Sequence, residues 1–332
     1  VTIDVLPDDV LVDIFNFYVN INDPLWYTSG DTWHALVYVC RRWRYLVLAS
    51  PRRLKLRLKY EGRGPMSEVL NTWPVMPVLL ISRVEYLRSG FLHPESGERW
   101  DNVVAALESE HYHRICEIYI SGIPGSRWER FAAAMQKPFP ELTRIEVSVY
   151  CDVAPVLPDS FLGGSAPRLR TFSLEGIPFP SIPTLLLSAN GLTTLTLWDI
   201  PDSGYFSSDA IATALTVMTT LESLRLQFRP PQSRPDPASR PLPPLTRFVL
   251  PALTKLTFKG VYEYLEDLLV RIDTPLLHYL YFVPFMDFDF DVQQLHRLIG
   301  HAEEHIGVFV FNHSIQLRPH QRQSWSKLRR LL

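Results

Sequence analysis

Cysteine is scarce in this 332-residue chain: Cys40, Cys116 and Cys151 are the only three, odd in number and far apart. They support neither a disulfide framework nor a Cys-x-x-Cys metal site, and they point to a reducing compartment. No apolar run reaches the ~18 residues that a membrane-spanning helix requires. The longest candidate, Val75 to Ile81, is interrupted by Pro77. Charge of one sign is not in excess either, since 33 Lys and Arg face 35 Asp and Glu for a net of −2. A near-neutral balance gives no general attraction for nucleic acid or an anionic membrane. The opening residues, Val1-Thr2-Ile3-Asp4 with Asp8 and Asp9 close behind, lack the basic flank and apolar stretch of a secretory leader. The missing initiator Met points to a trimmed chain or a fragment.

Catalytic signatures are also missing. The chain has no Gly-x-Ser-x-Gly, no Gly-rich phosphate loop and no Cys/His quartet. His301, Glu304 and His305 form a His-x-x-Glu-His pattern, but no Asp or Glu follows between Ile306 and Leu332 to complete a zinc site. The expectation is a chain without enzymatic activity, metal or cofactor. What is present is an ordinary globular composition, 46% hydrophobic and 20% charged, with 28 prolines. At roughly 150 residues per domain the length fits two domains or one elongated array.

Near the start, Val10, Leu11, Ile14, Phe15 and Tyr18 recur at helical spacing behind Pro7, Asp8 and Asp9, which suit a first turn. A polar stretch from Asn20 to Gly30, with Trp26 and Tyr27, precedes Asp31 or Thr32 as a cap for a second helix. A third stripe runs through Val39, Cys40, Trp43, Leu46 and Val47, with Arg41, Arg42 and Arg44 opposite. A free cysteine on such a stripe acts as a small hydrophobe. Three helices in about 45 residues cannot bury all these positions among themselves, so some of them meet a partner or the following domain.

The segments VLPDDVLVDIF and VCRRWRYLVLASPRRL resemble the F-box, which docks substrate receptors onto the Skp-type adaptor of cullin ubiquitin ligases. The resemblance implies that Leu6, Pro7, Leu11, Ile14, Phe15, Val39, Cys40 and Trp43 hold adaptor-docking and module-core positions. The connection from Asn20 to Gly30 is longer than the family's short turn.

From Ile115 onward one pattern recurs, an apolar residue, two variable, an apolar, one variable and another apolar: ICEIYI, LTRIEV, LRTFSL, LTTLTL, LESLRL, LTKLTF, LHYLYF and IGVFVF. Their first residues, Ile115, Leu142, Leu169, Leu192, Leu221, Leu253, Leu277 and Ile306, are spaced by 27, 27, 23, 29, 32, 24 and 29. Helix-like stretches lie between them at Trp128 to Gln136, Ser208 to Met218, Tyr262 to Ile272 and Val292 to His305. A period in the twenties with one strand per unit resembles leucine-rich repeats, whose units bury their apolar residues by stacking on one another. The position three beyond the last strand apolar residue is Ile123, Ile177, Ile200 or Val261 where that family places Asn, so backbone groups there must be satisfied in another way. Such degenerate repeats are similar to those of many fungal F-box proteins.

The expected fold is therefore α/β, an F-box-like three-helix module at 1–50 followed by an irregular leucine-rich-repeat solenoid with a parallel sheet. Linker repeats occupy 51–112, including an LKLRL strand at Leu54 to Leu58 and a helix from Trp100 to His111. The solenoid proper covers 113–332, with a Pro-rich insertion at 229–244 and a closing helix that carries Arg318, Arg322, Lys327, Arg329 and Arg330 outside and Trp325 and Leu328 inside. Alternation places the variable strand positions on the concave face. Glu117, Tyr119, Arg144, Glu146, Glu175, Trp198, Arg225, Gln227, Lys255, Lys259, Tyr279 and Tyr281 fall there. Of these, Tyr119, Glu146, Trp198, Arg225, Lys255, Tyr279 and Tyr281 are the candidate contacts for a target protein, aromatic and charged types being common at binding hot spots. The resemblance implies a cytoplasmic or nuclear substrate-recognition adaptor. Its partners are a Skp-type adaptor, through it a cullin ligase, and a target protein, with no nucleic acid and no membrane. The alternative is a leucine-rich-repeat scaffold working outside any ubiquitin ligase.

Overall fold

The computed structural model describes residues 3–21, 33–73, 76–83, 96–150, 156–178, 184–230, 247–285, 306–311 and 314–319. The chain opens with α1 (Asp8–Ile21), α2 (His34–Val37) and α3 (Arg41–Ala49). Asp8 and Asp9 occupy the first turn of α1, where negative charge offsets the unpaired amides. Arg42 of α3 ties the two helices together, donating to Asp8 Oδ1 at 2.6 Å and to the Leu6 carbonyl at 2.6 Å. The connecting residues 22–32, with the two proposed capping residues, lie outside the described residues, and the side chain of Trp33 at the start of α2 makes no capping bond.

An α/β region follows: β1 (Leu58–Tyr60), α4 (Met66–Thr72), β2 (Val78–Arg83), α5 (Ser96–Glu108), β3 (Ile115–Pro124), α6 (Gly125–Ala134), β4 (Arg144–Tyr150), β5 (Thr171–Glu175), α7 (Thr184–Ser188), β6 (Thr194–Ile200), α8 (Ser208–Leu215), β7 (Ser223–Phe228), β8 (Phe248–Val249), β9 (Lys255–Gly260), α9 (Tyr262–Arg271), β10 (Ile272–Asp273), β11 (Tyr279–Pro284), β12 (Ile306–Phe311) and β13 (Ser314–Pro319). The main sheet has eleven strands in the order β1-β2-β3-β4-β5-β6-β7-β9-β11-β13-β12. From β1 to β11 every neighbouring pair is parallel. Each further length of chain thus adds one strand to the same edge.

The register explains why the sequence pattern recurs. The middle apolar position runs straight across the strands as Ile118, Ile145, Phe172, Leu195, Leu224, Leu256 and Leu280, each partnered with the next. The third apolar position forms a second row, Ile120, Val147, Leu174, Leu197, Leu226, Phe258 and Phe282. Every one of these side chains is buried, and each contributes about 1.5–3 kcal/mol on burial. A third row of contacts is polar. The amides of Thr143, Arg170, Thr193, Glu222, Thr254 and His278 each donate to the carbonyl one unit back. The hydroxyls of Thr143, Thr193 and Thr254 donate to those same carbonyls at 3.0, 3.0 and 3.1 Å.

Beyond the strands, Ile123, Ile177, Ile200 and Val261 are buried apolar residues. Backbone groups near them are met by Ser148 Oγ, which accepts from Gly122, and by the carbonyls of Trp198 and Ile200, which accept from Gly176 and Arg229. Gly176 turns with φ 73°, and a Cβ there would lie 2.8 Å from the Val149 carbonyl oxygen.

Three expectations are corrected. The LKLRL segment is not a strand until Leu58, because Lys55 takes φ 51° and breaks the extended run. The eighth repeat match, β12, does not extend the parallel stack. The antiparallel β13 inserts between β11 and β12, setting Leu317 against Leu280 and Ile315 against Phe282. Arg318 accordingly belongs to a strand and not to a closing helix, since Ser314–Pro319 pairs in register with β11 on one side and β12 on the other. The sequence-predicted helix from Val292 to His305 and residues 320–332 lie outside the described residues, as do residues 231–244 of the Pro-rich insertion.

Candidate binding surfaces

The helical module divides its apolar residues between two directions. On α1, Leu11, Val12, Phe15 and Val19 are buried and belong to one hydrophobic cluster that continues through Leu54, Leu56 and the sheet to Phe282. On the same helix Val10, Ile14, Phe17 and Tyr18 stand exposed, Ile14 at 41% and Phe17 at 69%. Their spacing of four, three and one residues puts them along one side of the helix. Tyr38 at 72% and Val39 at 58%, just before α3, are exposed as well. A helix whose apolar arc is wider than the core can cover leaves the remainder facing outward.

The eight sequence-derived docking residues therefore separate. Leu11 and Phe15 are core, while Leu6 and Trp43 are half-buried, with the Trp43 ring 4.7 Å from that of Phe15. Pro7, Ile14, Val39 and Cys40 are exposed. Cys40 does not sit on a buried stripe: it is the N-cap of α3, its sulfur accepting from the Trp43 amide at 3.5 Å. Phe17 and Tyr38 were not among the candidates, although the four-three spacing of Val10, Ile14 and Phe17 was the signal that marks Phe17.

The second surface is the sheet face opposite the apolar rows. Register sets Tyr119 beside Glu146, Lys255 beside Tyr279, Arg225 and Tyr281 on either side of Thr257, and Trp198 beside Glu175. All seven predicted target contacts thus share one face. Arg144 pairs with Glu146 at 2.6 Å and lies over the Tyr119 ring at 5.2 Å, and Arg225 lies over Trp198 at 5.4 Å. Arg229 pairs with Asp199. Glu117 departs from the expectation of an open position: it is buried, because Arg57 reaches across to it at 3.0 Å and the Tyr119 hydroxyl donates to it.

Comparison with family models, with curated proteins and with solved structures returns no match. The chemistry of the surfaces must therefore come from their own residues. Burial, and then the Glu117 carboxylate, raises the Tyr119 phenol well above its ordinary value, so it stays a neutral hydroxyl and aromatic wall. Burial and then Asp199 raise Glu175, and no basic group pairs with its carboxylate among the described residues. Burial pushes the Cys116 thiol up to about 12, which leaves it unreactive. Among the described residues there is no group of three His, Cys, Asp or Glu able to hold a metal, and no helix is long and apolar enough to cross a membrane. The His301, Glu304 and His305 pattern and Cys151 lie outside the described residues. One face thus presents exposed apolar side chains, and the other presents paired charges and aromatic rings.

Proposed function

We propose that the chain is a non-catalytic bridging protein, the substrate-recognition adaptor of a Skp, cullin and F-box type ubiquitin ligase. On this reading the helical module is an F-box that docks a Skp-type adaptor, and the strand-and-helix units are degenerate leucine-rich repeats whose open sheet face holds the target. The observation that carries it is the outward stripe of Val10, Ile14, Phe17 and Tyr18 on α1, with Tyr38 and Val39 beyond it. Apolar side chains are left exposed in a module whose other apolar side is already satisfied, which marks an interaction surface. Such a protein acts by proximity, raising the local concentration of target lysines near the transferring enzyme.

Replacing Ile14 and Phe17 together by Asp tests the docking face without opening the core, because Leu11 and Phe15 remain in place. The double variant should fold like the parent by circular dichroism and fail to co-purify with a Skp-type adaptor. Equal recovery of parent and variant rejects the docking assignment. One observation favours the scaffold alternative: a single buried cluster runs from Leu11 to Phe282, as expected if the module serves as the terminal cap that a stack of repeats needs. Under that alternative the double variant binds its target as the parent does, and no Skp-type adaptor binds either.

A further inference from the structure

A cleft of about 600 Å³ lies where the end of α3 meets the entrances to β2, β3 and β4, lined by Arg52, Arg53, His113, Arg114 and Glu141. Its charges do not balance. Glu141 accepts from both Arg52, at 3.1 Å, and Arg168. Arg53 reaches Asp13 at 2.7 Å. Arg114 has no carboxylate partner among the described residues. Its Nη2 donates to the backbone carbonyls of Trp73 at 2.9 Å and Met76 at 2.6 Å, which leaves Nη1 and Nε without a hydrogen bond among those residues. Three guanidiniums thus share two carboxylates, and a fourth, that of Arg114, is held by main-chain oxygens alone.

Burial lowers Arg114 below its ordinary value, the mark of a cation that water solvates poorly and that an anion would relieve. A planar guanidinium with two donors on offer matches the oxygens of a phosphate group better than a point charge does. The volume falls in the range of about 300–1,000 Å³ typical of small-molecule sites, and the junction between two structural units is where such sites concentrate. We propose that this cleft binds a small phosphate-bearing molecule, held by Arg52, Arg53 and Arg114. Because Arg52 and Arg53 follow α3 while Arg114 leads into β3, the bound anion links the helical module to the sheet. Ligand occupancy then sets how firmly the module is held against the array.

The test uses the full chain and pyrophosphate as probe, followed by calorimetry and thermal unfolding at constant ionic strength made up with chloride. Saturable binding with a Kd below about 1 mM is expected, together with a rise in Tm that tracks occupancy. Arg52→Gln and Arg53→Gln should each weaken binding about tenfold, and Lys259→Gln, on the open sheet face outside the cleft, should leave it unchanged. Arg114→Gln adds nothing if it unfolds, since Arg114 also anchors two carbonyls, so the outcome rests on the other two variants. The proposal is overturned by the absence of saturable binding up to about 10 mM. It is equally overturned by affinity that survives both cleft substitutions, by an equal loss in Lys259→Gln, or by malonate binding as tightly as pyrophosphate. A phosphoserine peptide that binds where pyrophosphate does not would reassign the cleft to a protein partner.

Discussion

Leu195→Ala probes the physical basis of the whole array. Leu195 is fully buried in the middle apolar row, with Phe172 bonded in register on one side and Leu224 on the other. Truncation removes three carbons, worth about 2.4 kcal/mol at ~0.8 kcal/mol per buried carbon. A further contribution comes from the cavity, because flanking residues on hydrogen-bonded strands have little room to collapse. The total expected is about 3–4 kcal/mol, in the middle of the range of about 2–5 kcal/mol for such changes. Leu187, exposed on α7, is the control, and its replacement by Ala should cost less than about 0.5 kcal/mol. Urea unfolding measures both. Native-state hydrogen exchange should show the largest loss of protection in β5, β6 and β7 and little in β2, since neighbouring units are coupled mainly to one another. A cost below about 1 kcal/mol, or protection lost evenly from β1 to β11, would refute the stacked-row account.

The threonine row makes a smaller prediction. Thr193→Val removes the hydroxyl that reaches the Arg170 carbonyl while keeping the side-chain shape, and should cost about 0.5–1 kcal/mol in the same urea assay. Glu175→Gln should stabilise the protein near neutral pH. Burial raises the Glu175 carboxyl when folded, so the folded chain holds that proton more tightly than the unfolded one. The stability it supports is complete below the unfolded value near 4.5 and falls as pH rises through the folded value. The gain from Gln, measured as a shift in Tm across pH, should therefore grow through that window, stay constant above it and disappear below it. A gain independent of pH would point to packing instead.

Much of the fold was legible because each unit repeats a local rule. Alternation within six residues decides which side chains share a face, and that geometry is set by the strand itself. The rows from Ile118 to Leu280 and from Ile120 to Phe282 follow directly from it. The same rule placed Tyr119, Glu146, Trp198, Arg225, Lys255, Tyr279 and Tyr281 together. It failed at β12 because IGVFVF fits a strand in any sheet. Its place depends on β13, which the repeat pattern did not include.

The linear order of residues determined periodicity, and periodicity determined strands, helices and the faces they present, because these are properties of neighbouring backbone units. Only the tertiary structure decided what covers each face. It buried Glu117 beneath Arg57, and it turned Leu11 and Phe15 inward while Ile14 and Phe17 stayed out. It also drew Arg52, Arg53 and Arg114 around one cleft from segments about 60 residues apart. Contacts across such separations depend on how whole elements pack, and no local pattern in the chain encodes them.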